Sequence, residues 1–196
     1  PFALRRNAIG LLRIIIENKL SVQLKELINY SIVIYSEQDV RFVNKTTTKE
    51  LLIFLKERFK NLLKDKKIRN DIIEAVDSSH TGNDFLALYK KCLIINKNIS
   101  KDICKDIIGT YKRASNIIEQ ELKSKKEGIL GQPETFLFKK DEENNLYDKI
   151  NEIRQYFAST KKHESYEETL KILAEAKPTT DNFFDNVIVN DKNLDI

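Results

Sequence analysis

The sequence predicts an all-α protein, and three observations predict it. Apolar residues recur at spacings of three and four along most of the chain, the signature of one face of a helix. Glycine and proline number only 5 and 3 in 196 residues, so the punctuation that many short strands need is missing. Charged residues make up 33% of the chain and supply the solvated outer faces of long amphipathic helices. A chain of this length can bury a real core, as one medium domain or one domain with a helical extension.

The cleanest periodicity lies at 99–122, ISKDICKDIIGTYKRASNIIEQEL. Ile103, Ile107, Tyr111, Ala114, Ile118 and Leu122 share one face there and are expected to face a core. Ser100 stands where an N-cap belongs, and Asp102 falls in the first turn, where the helix dipole favours an anion. Lys112, Arg113 and Asn116 flank this seam, with Arg113 and Asn116 one turn apart. Two cations and an amide beside an aromatic are suited to a nucleic acid, although composition alone favours a solvated helix flank.

The other elements follow in order. Residues 2–19 form a first helix with Phe2, Leu4, Ala8, Leu11, Leu12, Ile15 and Ile16 on its apolar face and Arg5, Arg6 and Arg13 pointing away. Ser21 caps a second helix at 22–35, with Leu24, Leu27, Ile28 and Ile32 inward. After a loop at 36–46, Thr47 and Glu50 make a capping box for a helix at 49–66 that buries Leu51, Leu52, Leu55, Phe59, Leu62 and Leu63. Its opposite face, with Lys56, Glu57, Arg58, Lys60 and Lys64, is expected to meet water. A short helix at 68–76 leads through DSSHTGN to one at 84–95, capped by Asn83 and burying Phe85, Leu88 and Leu93. Residues 123–140 interrupt the pattern with Gly128, Gly131 and Pro133, and ILG and FLF are expected to anchor that excursion. A helix at 142–158 carries Leu146, Ile150, Ile153 and Phe157 inward; Ser165 starts another at 166–176, and Lys177–Pro178 stops it. Thr180 then caps a last short segment, NFFDNVIV.

Composition bounds the function. A net charge of +4, from 34 Lys and Arg against 30 Asp and Glu, permits binding to a polyanion without demanding it. RIIIENKL and KCLIIN are broken by charge, so no apolar run reaches the length of a membrane span. The opening residues read as an amphipathic helix without a signal-peptide cleavage site, and the chain starts on proline, as a piece of a longer polypeptide would. Cys92 and Cys104 sit on separate helices with no CxxC and no nearby histidine; buried reduced thiols of a cytoplasmic protein are expected, and no metal site. No GxxxxGK[ST], GxGxxG or HExxH occurs. His80 beside Ser78 and Ser79 is not a nucleophile–base pair, because that geometry is assembled from distant positions. No catalytic residue is assigned, and a binding or assembly module is the class that remains.

Four segments in order carry a resemblance: PFALRRNAIGLLRIIIE at 1–17, DIIEAV at 71–76, YKRASNII at 111–118 and KPTTDNFFDNVIV at 177–189. Together they resemble the C-terminal region of the beta subunit of bacterial tetrameric glycyl-tRNA synthetases, over essentially the whole chain. The resemblance implies a DALR-type anticodon-binding domain, a multi-helix bundle at 46–196, preceded at 1–45 by helices connecting to the subunit body. It implies a part in the ATP-dependent attachment of glycine to tRNA(Gly), with glycine activated, using ATP and Mg2+, on an alpha subunit in an alpha-two beta-two tetramer. The piece itself would then be non-catalytic, with no cofactor of its own. The resemblance puts the family's lysine–arginine–asparagine element on Lys112, Arg113 and Asn116 as the RNA-binding candidates. Arg5 and Arg6, in PFALRR, are further candidates for RNA contact, packing or domain contact. Thr179 departs from the family's Val or Ile after Pro178, and the chain stops at LDI where the family continues in an arginine-containing helix, so Phe183 and Phe184 are expected to be under-packed.

The implied mechanism is docking of a tRNA anticodon arm, whose splayed bases accept stacking and edge hydrogen bonds. Arg113 would offer a planar cation, Lys112 a phosphate contact and Asn116 an amide for a base edge. The alternative is a helical protein-interaction module for subunit assembly without direct RNA contact, with Arg113 paired to a carboxylate such as Asp106 or Glu119.

Overall fold

A computed structural model describes residues 2–38, 40, 46–79, 82–124, 132–159 and 165–188, with backbone only at 121, 122 and 124. Its regular elements are α-helices: α1 (Phe2–Glu17), α2 (Leu24–Glu37), α3 (Thr47–Asp65), α4 (Asn70–Ser79), α5 (Phe85–Asn98), α6 (Asp102–Ser124), α7 (Asp141–Ser159), α8 (Tyr166–Ala174) and α9 (Ala176–Asn186). A 3-10 turn at Thr135–Leu137 and a single antiparallel bridge between Gln23 and Asp84 complete the described residues. The all-α expectation holds. His80, His163, the ILG segment and the tail after Ile188 lie outside the described residues.

The chain forms two compact units, Pro1–Lys97 and Asn98–Ile196. The sequence had suggested a division after residue 45; α1 and α2 both pack on α3, so contacts within the first unit cross that position.

In the first unit the inward stripes of α1, α3, α4 and α5 meet in a dense core. Leu12, Ile15, Leu24, Leu63, Ile73, Phe85 and Cys92 are almost fully removed from solvent, each large apolar side chain contributing roughly 1.5–3 kcal/mol. Phe59 and Phe85 meet edge to face, with ring centroids 5.0 Å apart. α1 and α3 both end by the same device. Leu20 N–H donates to Ile15 and Ile68 N–H to Leu63, while Lys19 and Lys67 sit in the left-handed region at φ 53° and 61°. The supposed water-facing side of α3 is partly used: Lys56 pairs with Asp77 at 2.5 Å, and Lys60 with Glu74 at 2.8 Å and Asp77 at 2.9 Å, all from α4.

Several capping expectations are corrected. Ser21 does not cap α2; the N-cap position is Gln23, and the Ser21 hydroxyl donates to Asp84 at 2.8 Å. Asp84, rather than Asn83, caps α5, its carboxylate accepting from the Ala87 N–H at 3.0 Å. The N-cap position of α3 is Thr46 rather than Thr47, and the Thr46 hydroxyl donates to the Glu50 carboxylate. Leu27 and Leu93 are partly exposed, whereas Leu86 is buried.

In the second unit α6 packs on α8 and α9, and α9 also packs on α7. Burial is thin: among the described residues of this unit only Cys104, Asn98 and Thr180 are buried. α7 is capped from within, Glu143 accepting from the Lys139 and Lys140 N–H groups at 2.7 and 2.8 Å. Ser165 caps α8 as expected, accepting from the Glu167 N–H at 3.3 Å. Of FLF only Phe138 anchors its segment, edge-on to Tyr147; Phe136 is exposed. Lys177–Pro178 does not end the helical run. Only Glu175 separates α8 from α9, and Pro178 occupies the first turn of α9, where its missing N–H is not needed. Thr180 is no cap but is buried mid-helix, donating to the Ala176 carbonyl at 2.8 Å.

Candidate nucleic-acid interface

α6 differs from its sequence reading in phase. The stripe it turns inward is Ile103, Ile107, Thr110, Ala114 and Ile117, all partly shielded, with Cys104 buried. Tyr111 and Ile118, expected in the core, are 70% and 53% exposed. Ser100 is not the N-cap either: the Lys101 carbonyl accepts the first helical bonds, and α6 starts at Asp102.

The solvent side of α6 carries Lys105, Lys112 and Lys123, with Lys101 immediately before its first residue, all exposed. Their spacings of four, seven and eleven residues are close to whole numbers of turns, so the four ammonium groups line one side of the helix. Lys105 is held to Asp102 at 2.9 Å, and Glu119 is the acid on the same side. Lys112 and Asn116 stand exposed one turn apart, without a hydrogen-bond or ion-pair partner among the described residues. The line stands out because residues 98–196 hold 16 Lys and Arg against 19 Asp and Glu; the positive balance of the chain lies in residues 1–97, with 18 against 11.

Arg113 projects to the other edge of the exposed arc and is already engaged. Its guanidinium meets Asp185 at 2.9 Å and Asp181 at 3.7 Å, and lies over the Phe184 ring at 4.8 Å from the centroid. Asp181 is also paired with Lys177, whose pKa that hydrogen bond raises. The expected partners Asp106 and Glu119 are not the ones used. Phe183 and Phe184 remain half-buried and meet edge to face at 5.4 Å. The Arg113 side chain stays 42% exposed, so the clasp is wet.

Lys112, Arg113 and Asn116 are thus brought together on one exposed surface of the second unit. Arg5 and Arg6 belong to the first unit, both exposed on α1, with Arg5 over the Phe2 ring at 5.9 Å. Sequence reasoning missed Tyr111 as a surface group. The signal was available in Thr110, a smaller side chain that fits the same three-four spacing one residue earlier.

Residues 1–78 match the family described as glycyl-tRNA synthetase beta subunit, and residues 107–196 match the DALR anticodon binding domain. The chain is similar to the glycine–tRNA ligase beta subunits of Clostridioides difficile (32% identical over 191 residues, 97% of this chain and 26% of the relative) and Rickettsia canadensis (34% over 192 residues, 97% and 27%). It is also similar to that of Halothermothrix orenii (35% over 192 residues, 96% and 26%). The chain spans about a quarter of the length of these relatives. The two matched segments flank α5 and the start of α6; Lys112, Asn116 and Lys123 lie inside the second of them, and Lys101 and Lys105 just before it. The chain belongs to the glycyl-tRNA synthetase beta-subunit family and is a C-terminal region of such a subunit, with a DALR anticodon-binding domain.

Proposed function

We propose that this region binds the anticodon arm of tRNA(Gly) as part of a cytoplasmic glycyl-tRNA synthetase, while glycine is activated with ATP and Mg2+ on the alpha subunit of an alpha-two beta-two assembly. The observation that carries the reading is the exposed line of Lys112 and Lys123 with Asn116, inside the segment matching the anticodon-binding domain, extended by Lys101 and Lys105 just before that segment. Ammonium groups along a helix meet successive phosphates and release counterions, which gives affinity that falls with salt. An exposed amide such as that of Asn116 both donates and accepts, as a base edge requires. The test is a filter-binding titration of the complete synthetase with tRNA(Gly) across salt concentrations. Lys112→Ala weakens binding and reduces the salt slope by about 0.7, one single-strand phosphate contact. Unchanged affinity and slope in Lys112→Ala and in the Lys112→Ala/Asn116→Ala double variant refute it.

A second reading applies to the first unit. Leu4, Leu11, Leu27, Ile28, Tyr35 and Phe54 line an open apolar groove of about 560 Å³ among α1, α2 and α3. Such a surface favours packing of a further helix of the subunit over RNA contact, with Arg5 and Arg6 acting beside it. Leu27→Glu that leaves assembly of the synthetase intact refutes this reading.

A further inference from the structure

We propose that Tyr111 is a stacking platform for one unpaired base of the bound RNA, and that Arg113 is a positioning residue rather than an RNA contact. The inference rests on the anticodon-arm reading and names the part of that site which holds a base. Tyr111 is 70% exposed in the middle of α6, neighbouring Lys112 along the chain and Ser115 one turn on. Among the described residues it has no ring partner and no hydrogen bond, although a phenol packed within a fold usually finds both. The lysine line runs beside it: Lys105 and Lys112 lie seven residues apart, about 10 Å along the axis. A strand whose phosphates follow those lysines brings its bases past the flank of the helix where the phenol ring stands. Every base has a π-face, so a single aromatic held beside a cationic track is sufficient for stacking without selecting the base. Selection then falls to Asn116, one turn beyond Lys112.

Arg113 is excluded from the same task by what it already holds. Its charge is met by Asp185 and Asp181 and its plane by Phe184, so RNA would have to displace all three groups of α9. It acts on the RNA through the packing of α9 against α6, which fixes the rotation of α6 and with it the direction of Tyr111.

The occupant could instead be a protein, since Ile108 and Ile118 flank Tyr111 and are partly exposed. Charge favours RNA: four lysines against two acids, Asp102 and Glu119, on the outer side of α6, in a unit that is otherwise net acidic, suit phosphate better than an apolar partner. The experiment uses the complete synthetase and a tRNA(Gly) transcript, with far-UV melting of each variant to verify the fold. Tyr111→Ala weakens binding about 5- to 150-fold with the salt slope unchanged, and Tyr111→Phe stays within about twofold of the parent. A transcript with 2-aminopurine in the anticodon loop loses its fluorescence quenching with Tyr111→Ala and keeps it with Tyr111→Phe. Unchanged affinity in Tyr111→Ala, beside weakened binding and a reduced slope in Lys112→Ala, overturns the platform and leaves the anticodon-arm reading standing. Silence of both variants overturns both. Equal losses in Tyr111→Ala and Tyr111→Phe assign the hydroxyl instead of the ring and overturn stacking. Loss of subunit assembly in Tyr111→Ala at unchanged RNA affinity assigns the surface to a protein partner and overturns it as well.

Discussion

Replacing Arg113 by alanine removes two interactions from the contact between α6 and α9. One is ionic, at 2.9 Å to Asp185 and 3.7 Å to Asp181, with side chains 42%, 64% and 36% exposed. Pairs this wet are worth about 0.2–1 kcal/mol, because water and salt screen them. The other is the guanidinium over the Phe184 ring at 4.8 Å, worth about 0.5–1 kcal/mol at an exposed site. The sum, roughly 1–2 kcal/mol, matters in a unit with so little full burial. It is read most directly as native-state hydrogen exchange of the α9 amides, where the loss corresponds to about 5- to 30-fold faster exchange. Raising NaCl from about 0.05 M to about 0.5 M shortens the Debye length from about 14 Å to about 4 Å, close to the spacing of these charges, and weakens chiefly the ionic share. Arg113→Lys, which keeps the charge but not the planar fork, falls between parent and Arg113→Ala. Equal α9 protection in Arg113→Ala and parent at both salt concentrations refutes the clasp. Strict additivity of Arg113→Ala with Asp185→Asn refutes its ionic part.

The first unit carries a pH-dependent pair. Burial works to raise the Asp77 carboxyl, but hydrogen bonds from Lys56 and Lys60 outweigh it and hold the pKa below the ordinary range. With the folded value below the unfolded one near 3.9, the contribution is complete at neutral pH and fades as pH falls through the folded value. Asp77→Asn therefore lowers the urea midpoint at pH 7 by an amount equivalent to about 1 kcal/mol and flattens its decline below about pH 4; a decline as steep as the parent's counts against the pair. Burial, with Asp77 adding to it, pushes the Cys92 thiol up to about 11, and burial likewise raises Cys104. Both thiols resist an aromatic disulfide reagent at about pH 8 in the native chain and react after denaturation; rapid native labelling of Cys92 contradicts its place in the core.

What was legible in the sequence was the existence and span of nearly every helix, because three-four spacing over many turns is a strong signal. Phase was harder. On α6 both 103-107-111-114-118 and 103-107-110-114-117 satisfy the same rule, and hydrophobicity favours Tyr111 and Ile118. The structure turns Thr110 and Ile117 towards α8 and α9 instead, leaving the large ring outside. The caps show the same limit: Ser165 works because its own helix starts one residue later, whereas Ser21 is drawn to the distant Asp84 and Ser100 stands one residue too early for a helix that begins at Asp102. Pro178 was misjudged because proline ends a helix and also begins one. For the candidate site, the sequence located Lys112, Arg113 and Asn116 on one helix, but only tertiary packing could show that Asp185, 72 residues away, occupies the arginine.

The joint between α8 and α9 leaves Glu175 as its sole connecting residue, so the chain has no slack there. A residue inserted at that joint would rotate α9 by about 100° about its own axis. Asp181 and Asp185 would swing away from α6 together, and Phe184 with them. The length of this elbow is therefore under tighter constraint than its side chains, and homologous chains are expected to exchange residues there freely while tolerating neither a gain nor a loss of one.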